Sequence, residues 1–106
     1  MGKHVMVVQS RAKPGREAEY IHWYDTIHIH DILAIPGVKS GRRYEATPVQ
    51  IGAPGLPVLA IYELEVDSPA SIMAEMGKRS AEGKMQKCDA LDAPASVLWF
   101  YQASGD

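Results

Sequence analysis

Apolar residues recur along this chain with two periods, near two in four short runs and near 3.6 in two longer ones, and the punctuation between the runs predicts the elements. Residues 4–10 (HVMVVQS) are rich in β-branched side chains and end at Lys13-Pro14-Gly15, which predicts a strand closed by a turn. Residues 16–35 contain no glycine or proline, carry Glu17 near the start and stop at Pro36-Gly37, which predicts a first helix. Residues 38–46 (VKSGRRYEA) read as a second strand whose alternation is interrupted by two arginines and Gly41. Three prolines and two glycines make residues 47–57 a loop, and the apolar run at 58–65 (VLAIYELE) predicts a third strand. Ser68-Pro69 reads as a helix start, with Ile72, Met73, Met76 and Ser80 at helical spacing. Gly77 and Gly83 weaken the later half of that second helix, and the stretch up to Pro94 reads as frayed or broken. Residues 96–102 (SVLWFYQ) predict the last strand.

The order βαββαβ, without internal repeats, specifies an α+β ferredoxin-like plan: a four-stranded antiparallel sheet with two helices on one face. Both alternating sets of the third strand are apolar, Leu59 and Ile61 against Ala60 and Tyr62, so the other sheet face needs a cover as well. A second copy of the chain supplies one with the same patch used twice, and a homodimer is expected.

Composition narrows the function classes. The 106 residues, 46% hydrophobic and 23% charged, fit one domain over 1–106 with a single core. Eleven basic against thirteen acidic side chains give a formal charge of −2, so no positive field gathers nucleic acid or anionic lipid. The apolar run near the start is too short for a secretory core, and no stretch is long enough to span a membrane. A cytoplasmic protein is expected. The single cysteine, Cys88, closes no intrachain disulfide, and with no histidine arranged beside it the inert reading is preferred.

Helix one carries the candidate chemistry. At 100° per residue, Tyr20, Trp23, Tyr24, Ile27, Asp31 and Ala34 share an inward arc, with Ile21, His28 and Ile32 on its shoulder and Glu19, His22 and Thr26 opposite. Asp31 is the odd member, a carboxylate near a helix C-terminus where the macrodipole disfavours it. Tyr24 and His28 are an i, i+4 pair and His28 and Asp31 an i, i+3 pair, so phenol, imidazole and carboxylate can lie along one strip. A carboxylate beside an imidazole fixes its tautomer and raises its basicity, which makes His28 the candidate general base and Asp31 its orienter. The competing reading is structural: aromatic core, a hydrogen-bonded boundary histidine, and Asp31 paired with Arg42 or Arg43. His28 and His30 diverge around the helix, and His22 has threonine at the i+4 position, so no metal ligation is expected.

In the second strand Arg42 shares its alternating set with Val38 and Tyr44, and is the arginine expected to face the helices and hold an anionic oxygen. Trp23 and Ile27 from the helix, and Tyr62 and Trp99 from the sheet, are the expected substrate-binding side chains.

The residues Trp23-Tyr24-Asp25, His28 and Ile35-Pro36-Gly37 before a basic strand resemble the dimeric α+β barrel superfamily, in particular its EthD-like branch. The resemblance covers the first helix and second strand by motif and the rest by element order. It implies a pairing of two sheets into a dimeric barrel and a pocket between helices and sheet in each subunit. It places the family histidine at His28 and the preceding aromatic at Tyr24. Where many EthD-like sequences carry proline two residues after that histidine, this chain has His30. The superfamily includes cofactor-independent monooxygenases, polyketide cyclases, muconolactone isomerases and haem-handling enzymes, and no histidine in the second helix offers a haem ligand here.

The expected activity is therefore that of a small cofactor-independent enzyme, of isomerase, lyase or cyclase type, acting on a compact aromatic or lactone-type molecule. His28 moves the proton, Asp31 orients it, and Tyr24 and Arg42 hold the developing charge. A cofactor-independent monooxygenase, and a ligand-binding or stress-related module without turnover, are the alternatives.

Overall fold

The computed structural model describes residues 2–104. Strands β1 (Gly2–Ser10), β2 (Val38–Glu45), β3 (Val58–Val66) and β4 (Val97–Gln102) form one antiparallel sheet in the order β2-β3-β1-β4. Helix one is continuous but not uniform: α1 (Glu17–Trp23) passes into a π-helical turn (Tyr24–His28) and then α2 (Ile29–Leu33). Helix α3 is Ala70–Ala81, after which the chain runs without regular structure to a 3₁₀ turn at Ala93–Ala95. The weakened half of the expected second helix is thus irregular from Glu82 onward, as Gly83 with its φ of +72° requires.

Cross-strand partners share a face, so the register sorts the side chains. Met6 lies opposite Tyr62 and Phe100, and Val8 opposite Ala60 and Leu98. These join Val58, Leu64 and Val66 on the face that packs Tyr20, Trp23, Tyr24, Ile32, Ile35 and Ile72 from the helices. The other set, Val5, Val7, Leu59, Ile61, Val97, Trp99 and Tyr101, points away from the helices.

Two backbone features decide which residues face inward. The Ile29 N–H reaches the Tyr24 carbonyl, an i→i+5 bond that inserts one residue into the helical period. Beyond it the fully buried positions are Ile32 (1% exposed) and Ile35 (2% exposed), while Ala34 is exposed and Ile27, His28 and Asp31 are partly buried. The expected arc over Ile27, Asp31 and Ala34 is therefore displaced by one position. In β2 the register breaks between Val38 and Ser40, a bulge that flips alternation. Val38 and Gly41 then share the inner face with Arg43, and the missing Cβ of Gly41 makes room for the Tyr62 ring, whose Cδ1 would lie 2.6 Å from it. Gly37, at φ +97°, turns α2 into β2 where a Cβ would meet Val66 Cγ1 at 2.5 Å.

Candidate functional site

The core under helix one is closed. Tyr24 (1% exposed) and Tyr62 (fully buried) share a hydrogen bond of 2.9 Å between their hydroxyls, and the Tyr20 hydroxyl lies 2.6 Å from Ser10 Oγ. Burial pushes the Tyr62 phenol up to about 12 and raises Tyr24 further, so both stay protonated and serve packing. Tyr24, expected at the reacting oxygen, and Tyr62, expected as a substrate contact, are thus both buried in the core.

The open space lies beside the helix. A cavity of about 500 Å³ is bounded by Trp23 and His28, by Met76 and Ser80 of α3, and by residues 85–89, 91 and 93. Its walls are mainly apolar, as a small-molecule site requires. The π-helical turn builds its inner corner. Trp23 and His28 are five residues apart and stack at 4.4 Å between ring centroids with planes 20° apart, while Tyr24 meets the same imidazole edge-on at 4.9 Å. An uninterrupted α-helix would send residues five apart to separate faces.

His28 Nδ1 is buried and has no hydrogen-bond partner among the described residues. Burial pulls the imidazole from its ordinary 6.5 down to about 4, against the opposing pull of the Asp31 charge, so the ring is neutral at neutral pH. Asp31 therefore acts on His28 through its charge and does not orient the ring. Its Oδ2 instead accepts the backbone N–H of Gln86 at 3.3 Å, and the Trp23 indole Nε1 donates to the Gln86 carbonyl at 3.1 Å.

Arg42 lies elsewhere. Paired with Ile61, it projects from the sheet face that carries no helices, because the β2 bulge reverses the alternation used to place it. The inner arginine is Arg43, which donates through Nε and Nη2 to the two Asp25 oxygens at 2.6 and 2.9 Å and through Nη1 to Glu45 at 2.9 Å. That fork pins the start of the π-helical turn to the sheet and holds the Asp25 carboxyl below its usual range. Trp99, opposite Val7, is also on the outer face, 59% exposed and stacked on Tyr101. Ile27 lines a neighbouring surface hollow with Glu19 and His22, which shares Trp23 and residues 86–89 with the cavity. Of the expected residues, Trp23 and His28 are brought together in the cavity, Asp31 stands behind its wall, and Tyr24, Tyr62, Ile27, Trp99 and Arg42 are outside it.

Met76, Met85, Cys88 and Leu91 complete the apolar lining and were not among the expected contacts. Met76 had helical spacing as a signal. The others sit in the irregular stretch, where no period reports which way a side chain points. A hollow of about 550 Å³ at the end of the sheet mixes Lys3 and Lys39 with Glu63 and Glu65, and Lys39 already pairs with Glu65 at 3.5 Å. It shares no residue with the helix-one cluster. Among the described residues no helix is long and apolar enough to cross a membrane.

No family model and no curated protein matches the chain. Solved structures do. An ethyl tert-butyl ether D (EthD) family protein of Bacillus halodurans aligns over 98% of this chain and 100% of its own at 15% identity, with a TM-score of 0.63. A provisionally assigned monooxygenase of Shewanella loihica aligns over 99% and 97% at 13% identity and a TM-score of 0.65. A dimeric ferredoxin-like protein of unknown function from a Jannaschia species aligns over 96% and 100% at 15% identity, also with a TM-score of 0.65. Identities this low establish the architecture alone, and that architecture is the one the Trp23-Tyr24-Asp25, His28 and Pro36-Gly37 pattern implied: the chain has the ferredoxin-like α+β fold that an EthD family protein shares.

Proposed function

We propose that the chain binds a compact, largely apolar molecule, aromatic or lactone-like, in the cavity between helix one and α3, and that His28 accepts a proton from it. The observation that carries this reading is a neutral imidazole, stacked on Trp23, in the wall of a mainly apolar cavity. Its Nδ1 is sealed, so contact with the ligand falls to Nε2. An acidic C–H or O–H bond of the ligand breaks, its proton moves to the imidazole, and the electron pair stays on the ligand as an enolate or phenolate. Returning the proton at another atom is an isomerisation, and expelling a leaving group is an elimination. The imidazolium and the new anion form in contact, where low polarity strengthens their attraction, and the nearby Asp31 charge favours the protonated ring.

The monooxygenase reading begins with the same proton transfer, after which the deprotonated ligand itself reduces dioxygen. Its support is the fold shared with the Shewanella protein. Oxygen uptake separates the two. Calorimetric titration with para-nitrophenol, a compact aromatic with one acidic hydroxyl, tests the site itself. Binding is expected, weaker by about tenfold in His28→Gln, the worth of one hydrogen bond. No binding by the wild type, or equal binding by the variant, overturns the assignment.

The same reading includes a homodimer joined through the outer sheet face. Trp99 at 59%, Tyr101 at 50% and Tyr44 at 44% exposure leave large aromatic rings in water beside Val7 and Ile61, an apolar patch of the kind that marks an interface. The Jannaschia protein of this fold is dimeric. Light scattering is expected to return twice the 11.6 kDa chain mass at micromolar concentration, and an 11.6 kDa particle throughout removes the dimer.

A further inference from the structure

We propose that Arg43 is a positioning residue for His28, gripping Asp25 so that the π-helical turn carries the imidazole into its place against Trp23 and Tyr24. The inference goes beyond the ligand reading, because it concerns how the ring is held and stands whether or not a ligand gives up a proton to it. A π-helical turn is rare, and bonds from outside the helix keep this one in place. The turn, Tyr24–His28, has its hydrogen bonds to the sheet at its first two residues and the imidazole at its last. Tyr24 is held by one bond of 2.9 Å between hydroxyls at the tips of two rings, far from either backbone. Thr26 donates to the His22 carbonyl at 2.6 Å, a bond inside the helix. The Arg43 fork is of another kind. Its two bonds of 2.6 and 2.9 Å run to both oxygens of the short Asp25 side chain, so they fix orientation as well as distance close to the backbone. The guanidinium is itself steadied, since it is 13% exposed, donates to Glu45 at 2.9 Å and belongs to a strand residue paired with the buried Ala60.

The imidazole depends on that support because Nδ1 has no hydrogen-bond partner among the described residues. Its place comes from the backbone that carries it and from the rings of Trp23 and Tyr24, which come immediately before Asp25. Asp25 lies three residues before His28 in the same turn, so a shift of the turn at Asp25 moves the imidazole against both rings. Neither partner of the fork acts on the ring by charge: burial and the Asp31 carboxylate govern its proton affinity. Lys87 and Asp89 also line the cavity with His28, and Asp89 is paired with Arg16 at 2.8 Å.

Titration of the His28 ring protons by nuclear magnetic resonance, with the signal assigned by its loss in His28→Gln, reads the position of the ring without a ligand. Burial puts the wild-type midpoint at about 4. Asp25→Ala and Arg43→Gln are each expected to raise it by about one pH unit, a tenfold gain in proton affinity as water reaches the displaced imidazole. The double variant should rise no further than either single one. Arg43→Lys, which keeps one charged donor, should recover part of the shift, and Glu45→Gln, which leaves the fork whole, should show none. A pair that acted by charge alone would shift the midpoint down in Asp25→Ala and up in Arg43→Gln. That pattern, or unchanged midpoints in the folded variants, overturns the proposal. Circular dichroism and melting temperature qualify each variant, and Asp25→Ala, at an exposed helical position, decides the matter alone if Arg43→Gln does not fold. Para-nitrophenol binding reads the ligand site separately: raised midpoints in a chain that does not bind it keep the positioning and remove the ligand, and binding with unchanged midpoints does the reverse.

Discussion

On a substrate that turns over in the cavity, His28→Gln is expected to lower turnover per folded subunit by about 10² to 10⁴, the usual worth of a positioned general base. Glutamine has a similar reach and a polar end group, so the stack against Trp23 and the adjoining wall of Met76 and Leu91 should persist, with circular dichroism unchanged. What disappears is the group that takes the proton. Asp31→Asn is expected to do less, because no hydrogen bond joins the carboxylate to the imidazole and only its charge is lost. That charge favours the protonated ring, so its removal draws the His28 pKa further down and moves the acid limb of the pH–rate profile to lower pH. The opposite pattern, a lower melting temperature in His28→Gln with turnover per folded subunit near wild type, would reduce His28 to a boundary side chain and leave the fold without this mechanism.

The element order and the packing of both helices on one sheet face were legible in the chain, since turns such as Pro36-Gly37 and the proline-rich 47–57 loop separate the runs cleanly. Facing was legible only where the period was undisturbed. Tyr20 and Trp23 precede the π-helical turn and Tyr24 opens it, and all three point inward as a regular helix requires, whereas Ile27 lies inside the turn, Asp31 and Ala34 follow it, and these three were placed one position off. Ile32 and Ile35 were the available sign of the displaced stripe. Arg42 failed for the same physical reason in a strand: one bulged residue at Lys39 exchanges the two faces, and Val38 ceases to be a guide to anything beyond it. Trp99 had no guide at all, because the strand around it is apolar in both sets and only pairing decides its side. The cavity was hidden for a different reason, as half of its wall comes from a segment without regular structure, positioned by the Gln86 backbone and not by any periodic pattern.

Stability should fall as pH is lowered from about 6.5 toward 4, by about 3 kcal/mol across that window, and His28 is the group responsible. The direction follows from proton uptake. The unfolded chain carries an ordinary imidazole that protonates near 6.5, while burial between Trp23, Tyr24 and the cavity wall keeps the folded one neutral down to about 4. Between those values the unfolded state binds the extra proton, so unfolding becomes easier with every step toward acid. Asp31 limits the effect by favouring the charged ring, so Asp31→Asn should deepen it. The carboxylates act in a lower window. Asp25, held below its ordinary 3.8 by Arg43, stabilises the fold above that value and is lost only as pH falls through its depressed pKa. Denaturant midpoints measured at intervals from pH 7 to pH 4 should therefore decline in the wild type and by much less in His28→Gln, where only carboxylates such as Glu75 begin to take up protons at the acid end. A decline of equal size in the variant would assign the acid sensitivity to other groups and leave the His28 imidazole with its ordinary affinity for protons.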